Sequence, residues 1–269
     1  MKYLLLIIGC CIGATLFSQS NLRIFAQKEG DNTVLYADNN EVCVISLQLT
    51  LSIDNLAADE SPDHIYLVPA NTTRFRLVQL TRINRRKTRY SYSYIAVFGD
   101  VRQTSYDKDH LYDLPYRKGA SFRVEQGYNG TFSHQGENSI DFNMKEGTEV
   151  RAVREGLVIA VVQRFTENCW RDECRQMANY VLVYHSDGTI ADYSHLLYNG
   201  ARVAIGDSVQ RGQLVALSGN TGYTRGPHLH FDCFLPGFEQ KRTLMTRFRT
   251  GNGGTNGFLK YNGVYKKNY

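Results

Sequence analysis

His228 and His230 stand one residue apart in the short apolar run GPHLHF. On a β-strand, side chains at i and i+2 share a face, so both imidazoles reach one small site while Leu229 turns into the core. Their Cα atoms then lie roughly 6 to 7 Å apart. Alone, a His-x-His pair is a weak signal, more often a chance or surface pair than a site. Three residues upstream strengthen it. His134 and Asp141 lie in FSHQGENSIDF and His195 in ADYSHL, each on a strand edge or loop in turn-prone sequence. Imidazole and carboxylate are common zinc donors. Three protein ligands with a fourth position left to water is the arrangement of a catalytic zinc rather than a structural one. The sequence has no His-Glu-x-x-His helix pattern, so Glu137 reads as a loop residue rather than a general base.

The motifs SHQGENSIDF, DYSHL and SGNTGYTRGPHLHF, in that order, resemble the lysostaphin-type zinc metallopeptidases, which cut peptide bonds in bacterial peptidoglycan. The resemblance runs from about Tyr112 to Leu235 and includes the strand pair of KEGTEVRAVREGLVIAV and the hairpin of VAIGDSVQRGQLVALSG. It implies that His134, Asp141 and His230 are ligands to one zinc ion per chain. It also implies that His228 and His195 are the catalytic pair, acting on the attacking water and the intermediate. The gap QGENSI between His134 and Asp141 is longer than the family often has, and reads as a loop variant. Tyr193 precedes His195 by two residues, so strand geometry would put it on the same face as a candidate hydrogen-bond donor, although core packing is the favoured reading. Asn138, between the first two ligands, is a further candidate contact. The implied substrate is a peptidoglycan stem peptide or cross-bridge. The alternatives are a non-catalytic relative that binds the wall or activates an amidase, and a secreted protease acting on proteins. Loss of ligands would mark the non-catalytic relative, and all five candidate residues are present.

The elements that must position these groups read as all-β. Tyrosine and glycine are frequent, with 18 and 23 residues, and proline is scarce, with 5, a balance that suits strands joined by tight turns. Residues 21–105 read as a small β module, with a sandwich as its candidate architecture. EVCVISLQLTLSI is rich in β-branched residues, and RYSYSYIAVFGD alternates Tyr90, Tyr92 and Tyr94 against Ser91 and Ser93. NRRKTR, before the second of these, reads as a solvated turn. Residues 106–269 read as a β-rich lysostaphin-type metallopeptidase domain with an antiparallel sheet and a groove. Its strand-like runs are cut by turn pairs such as Asp187-Gly188 and Gly206-Asp207. The loop SGNTGYTRG is either a wall of that groove or a simple hairpin connection.

The 269-residue chain carries a formal charge of +5, too weak to imply nucleic acid. Residues 1–20 match a secretory signal peptide, with an apolar run shorter than the roughly 20 residues a span needs. The chain is therefore expected to be exported, to the periplasm, envelope or exterior, without stable membrane insertion. Lipidation at Cys10 or Cys11 is a less favoured variant. In an oxidising compartment, Cys169 and Cys174 in CWRDEC pair as a local disulfide, since no second Cys pair completes a zinc knuckle. Cys43 and Cys233 are left without an assigned partner.

Overall fold

The computed structural model describes residues 21–269, so the signal segment, with Cys10 and Cys11, lies outside the described residues. The chain divides into two compact units, the first ending at Val101 and the second running from Arg102 to Tyr269. Among the described residues, apart from one 3₁₀ turn, Asp172–Met177, the regular structure is β. No described helix is long and apolar enough to cross a membrane.

The first unit is built from two antiparallel sheets. One orders Leu22–Glu29, Asn32–Asn39, Thr72–Arg82 and Leu56–Ala58. The other sets Ile45–Asp54 between Ile65–Val68 and Arg89–Phe98. Val34, Leu35, Ile45, Leu47, Val78 and Leu80 are all buried. The Tyr92 hydroxyl links the two sheets, donating to the Ile24 carbonyl at 3.1 Å. Along Arg89–Phe98, Tyr92 and Tyr94 are half-buried while Ser91 and Ser93 are exposed, the signature of a half-buried strand, and Tyr90 at its start is exposed as well. The basic turn after Arg82 is exposed, yet Asn55 braces it. Its Nδ2 donates to the carbonyls of Asn84 (3.1 Å) and Arg86 (2.9 Å). Cys43 is a buried free thiol, pushed up to about 12 mainly by that burial.

The second unit is organised around a nine-stranded antiparallel sheet. At its centre, Leu229–Leu235 lies between Ile190–Ser194 and Ser139–Phe142. Phe142, Tyr193, Leu229, Phe231 and Phe248 are fully buried in one continuous core. A small sheet of Glu149–Arg151, Leu214–Ser218 and Leu196–Ala201 lies beside it in sequence and shares that core. The expected hairpin in VAIGDSVQRGQLVALSG does not form. Ser208–Val209 pairs with Gly156–Val162 in the large sheet, whereas Leu214–Ser218 joins the small one. The expected strand pair upstream is split likewise, with Glu149–Arg151 in the small sheet and Gly156–Val162 in the large one. The turn closed by Gln213 N–H to the Gln210 carbonyl carries the chain from one sheet to the other. Turn residues and apolar alternation predict strands but not which partner each strand takes.

Candidate active site

Strand register brings Asp141 and His230 together. They are direct cross-strand partners, so their side chains stand on one face about 5 Å apart at Cβ. The His230 Nδ1 lies 2.9 Å from Asp141 Oδ1. His134 reaches the same carboxylate from a loop, its Nε2 3.3 Å from Asp141 Oδ2. The long gap is taken up by turns. Gly136 supplies a left-handed residue (φ 76°), and Glu137 N–H closes on the His134 carbonyl at 2.9 Å. The ligand atoms of His134, Asp141 and His230 all lie within 4.8 Å of one another.

Each imidazole is fixed from behind. His134 Nδ1 donates to the Gly127 carbonyl at 3.2 Å, which leaves Nε2 facing Asp141. His230 Nε2 lies 3.3 Å from Asp232 Oδ2, and Lys241 Nζ donates to the same oxygen at 2.6 Å. Burial opposes charge on His230, but its contacts with Asp141 and Asp232 outweigh it and raise the imidazole to about 10. Burial also works against the Asp141 carboxylate, yet hydrogen bonds from His134 and His230 hold it well below the usual range.

His195 and His228 form a second pair beside this group. Their ring centroids are 4.6 Å apart, and His228 Nε2 is 3.8 Å from Asp141 Oδ1. Both rings turn Nδ1 away from the cleft. His195 Nδ1 donates to the Thr221 carbonyl at 2.7 Å and His228 Nδ1 to the Gly226 carbonyl at 2.8 Å. In the neutral ring each Nε2 is thereby left as the acceptor nitrogen. Burial, reinforced by the neighbouring His228 and His230, pushes His195 down to about 3, so it is neutral at physiological pH. All four groups that face the cleft (Asp141, His195, His228 and His230) line one cavity of about 840 Å³, as do Tyr223 to Pro227 of SGNTGYTRGP.

Tyr193 does not join them. It is fully buried, and its hydroxyl accepts the Val153 N–H at 2.9 Å. It packs in the core, and the candidate donor role is lost because His195 has φ 62°, which ends the strand at Ser194 and breaks the i, i+2 relation. Asn138 also stays off the cleft lining. Thr243 holds it, accepting from Nδ2 through its carbonyl (2.9 Å) and from the backbone N–H through Oγ1 (2.7 Å). Cys169 and Cys174 are joined as a disulfide with Cα atoms 5.8 Å apart, and Cys233 is a buried free thiol.

Three contributors escaped the motif reading. Asp232 follows His230 by two residues on the same strand face, a signal that was available. Lys241 gave no local signal. Gln126 braces the His134 loop. Its Oε1 accepts from Phe132 N (3.1 Å) and Ser133 N (3.0 Å), and its Nε2 donates to Asp141 Oδ2 (3.0 Å).

The profile of Peptidase family M23 matches residues 135–240. The match takes in Asp141, His195, His228 and His230 and begins one residue after His134. Peptidoglycan DD-endopeptidase ShyA of Vibrio cholerae serotype O1 is 31% identical over 139 residues, 52% of this chain and 29% of that protein. Glycyl-glycine endopeptidase ALE-1 of Staphylococcus capitis is 35% identical over 126 residues, 46% of this chain and 31% of that protein. The chain thus spans less than a third of the length of these curated relatives. Among solved structures, the catalytic domain of the antimicrobial peptidase lysostaphin from Staphylococcus simulans is similar at 29% identity. The match covers 46% of this chain and 83% of that one, with a TM-score of 0.33. Residues 135–240, which hold the register pair Asp141–His230 and both cleft histidines, are a Peptidase M23 domain.

Proposed function

We propose that the chain is an exported, zinc-dependent endopeptidase that hydrolyses peptide bonds of bacterial peptidoglycan. The observation that carries the reading is the convergence of His134, Asp141 and His230 within 4.8 Å, with His195 and His228 against them in one cleft. The donor set fits zinc: two imidazoles and a carboxylate, with the remote nitrogen of each ring already engaged by a carbonyl or carboxylate. His134 Nε2, Asp141 and His230 Nδ1 would hold the ion. Bound there, zinc supplies an acidified water and polarises the scissile carbonyl.

The remaining work falls to the cleft histidines. His195, neutral and with Nε2 as acceptor, takes the proton of the attacking water. His228 Nε2 faces the same space. When protonated it can donate to the developing oxyanion, and the proton that His195 takes from the water passes on to the leaving amine. The carbonyls of Thr221 and Gly226 fix both rings before substrate arrives, so little reorganisation accompanies the reaction.

The test is digestion of purified peptidoglycan by the zinc-loaded protein, read by mass spectrometry of the released muropeptides. A cut within the peptides, absent after chelation and restored by zinc, is the expected result. An intact sacculus under both conditions would overturn the reading. Recovery of the native protein from the cytosol after cell fractionation would overturn the export half.

A further inference from the structure

One side of the cleft carries a ladder of rings that the proposed chemistry leaves unused. Trp170 stacks between Phe132 (centroids 4.6 Å apart, planes at 16°) and Tyr223 (4.3 Å, 19°). Phe132 and Trp170 are 49% and 38% exposed, so the stacked rings present one contiguous aromatic face to solvent. The ladder is anchored at both ends of its middle rung. The disulfide closes the loop that bears Trp170, and Asn168–Cys169 pairs in parallel with Gly222–Tyr223.

Arg225 lies on this ladder, its guanidinium carbon 3.9 Å from the Trp170 ring centre and 4.2 Å from that of Phe132. Stacking on aromatic faces keeps the planar fork oriented while its N–H edges stay free to donate. Arg175, stacked on Tyr223, differs because Asp172 already engages it at 3.1 Å. Arg225 is exposed and makes no ion pair among the described residues. It sits in the turn whose Thr224 Oγ1 and Gly226 carbonyl contact His228, so its place relative to the reacting groups is set by the same backbone. The acidic groups on the cleft lining are Asp141, Glu125 and Glu146. Asp141 belongs to the candidate metal group, Glu125 is engaged by Arg123 and Asn143, and Glu146 is exposed and lies beside Lys145 in sequence on the same lining.

We propose that Arg225 on its aromatic ladder is a carboxylate-recognition subsite. It directs the enzyme to peptides with a free carboxylate on a residue flanking the scissile bond, rather than to uncharged oligoglycine. The inference rests on the peptidase reading above. A guanidinium and a carboxylate form two parallel hydrogen bonds, which an amide of the same shape cannot match.

The test compares three substrates of the zinc-loaded protein: a peptide with the flanking carboxylate, its carboxamide analogue, and pentaglycine. Wild type should favour the carboxylate peptide over the carboxamide by roughly tenfold or more in kcat/KM. Arg225→Gln should abolish the preference, acting mainly on KM and leaving zinc content unchanged, and Arg225→Lys should keep part of it. Trp170 is the chain's single tryptophan. In a His195→Ala background its fluorescence should shift on binding the uncut carboxylate peptide, and at higher concentration once Arg225→Gln is added. Equal cleavage of the first two peptides, or a preference that survives Arg225→Gln, overturns the inference and leaves the peptidase reading intact. Cleavage of none of the three overturns both.

Discussion

Asp141 accepts from an imidazole on either side, and the two histidines are distinguishable by what holds them from behind. This sets distinct outcomes for single substitutions. His230→Ala and His134→Ala are expected to abolish zinc binding, measured as metal per chain after dialysis. Full occupancy in both would reject the ligand assignment. His228→Ala and His195→Ala should retain the metal and lose at least about a hundredfold in kcat, since each removes a proton-handling group. Asp232→Asn addresses orientation. It keeps the shape but weakens the contact with His230 Nε2, so zinc affinity in chelator competition should fall about tenfold to a hundredfold. At this scale the sequence was informative for types and order: His134, Asp141, His195, His228 and His230 all meet at one place. It was silent on Lys241 and Gln126, because their contributions depend on contacts made across the fold rather than on local spacing.

Strands do the positioning, and they do it by register. His230 faces Asp141 on one neighbour and Ser194 on the other, so a one-residue slip would turn the imidazole into the core. His228 is aligned by an isolated bridge to Gly219, where the backbone passes very close to its neighbour. A Cβ on Gly219 would meet Leu197 N at 2.4 Å and the Leu196 carbonyl carbon at 2.5 Å. Gly219→Ala must therefore separate the Leu196–Leu197 backbone, and with it the adjoining His195, from the strand bridge that holds His228, with a stability loss of roughly 1 to 3 kcal/mol and a fall in activity larger than the stability loss explains. Chemical denaturation and kinetics on the same sample check both. The β class was legible here from alternation and turn pairs, whereas the pairing of Leu214–Ser218 with the small sheet and the burial of Tyr193 were not. Both depend on where the chain turns, and the turn at His195 has no glycine to announce it.

The unit as a whole carries charged groups whose burial ties its stability to pH. Burial pushes His185 down to about 4, against the hydrogen bond that its Nδ1 donates to the Glu155 carbonyl at 2.7 Å. The unfolded chain then binds a proton first as pH falls. Stability from this residue is intact above about pH 6.5 and declines towards pH 4, by roughly 3 kcal/mol in all. Asp187 adds a second step. Burial disfavours its charge, but hydrogen bonds with Arg154 and Thr189 win and hold it at about 2. Its contribution of roughly 2 kcal/mol is present above about pH 4 and lost as pH falls towards 2. Denaturant unfolding followed through Trp170 should show both steps, and His185→Asn should flatten the upper one. The left-handed torsion of His195 has a different reach. A non-glycine residue there costs about 1 kcal/mol, which Asn or Gly largely avoids. His195→Asn is thus expected to be inactive yet to melt no lower than wild type. If the peptidase reading holds, a lineage released from the need to cut would find its first step away from catalysis running downhill in stability.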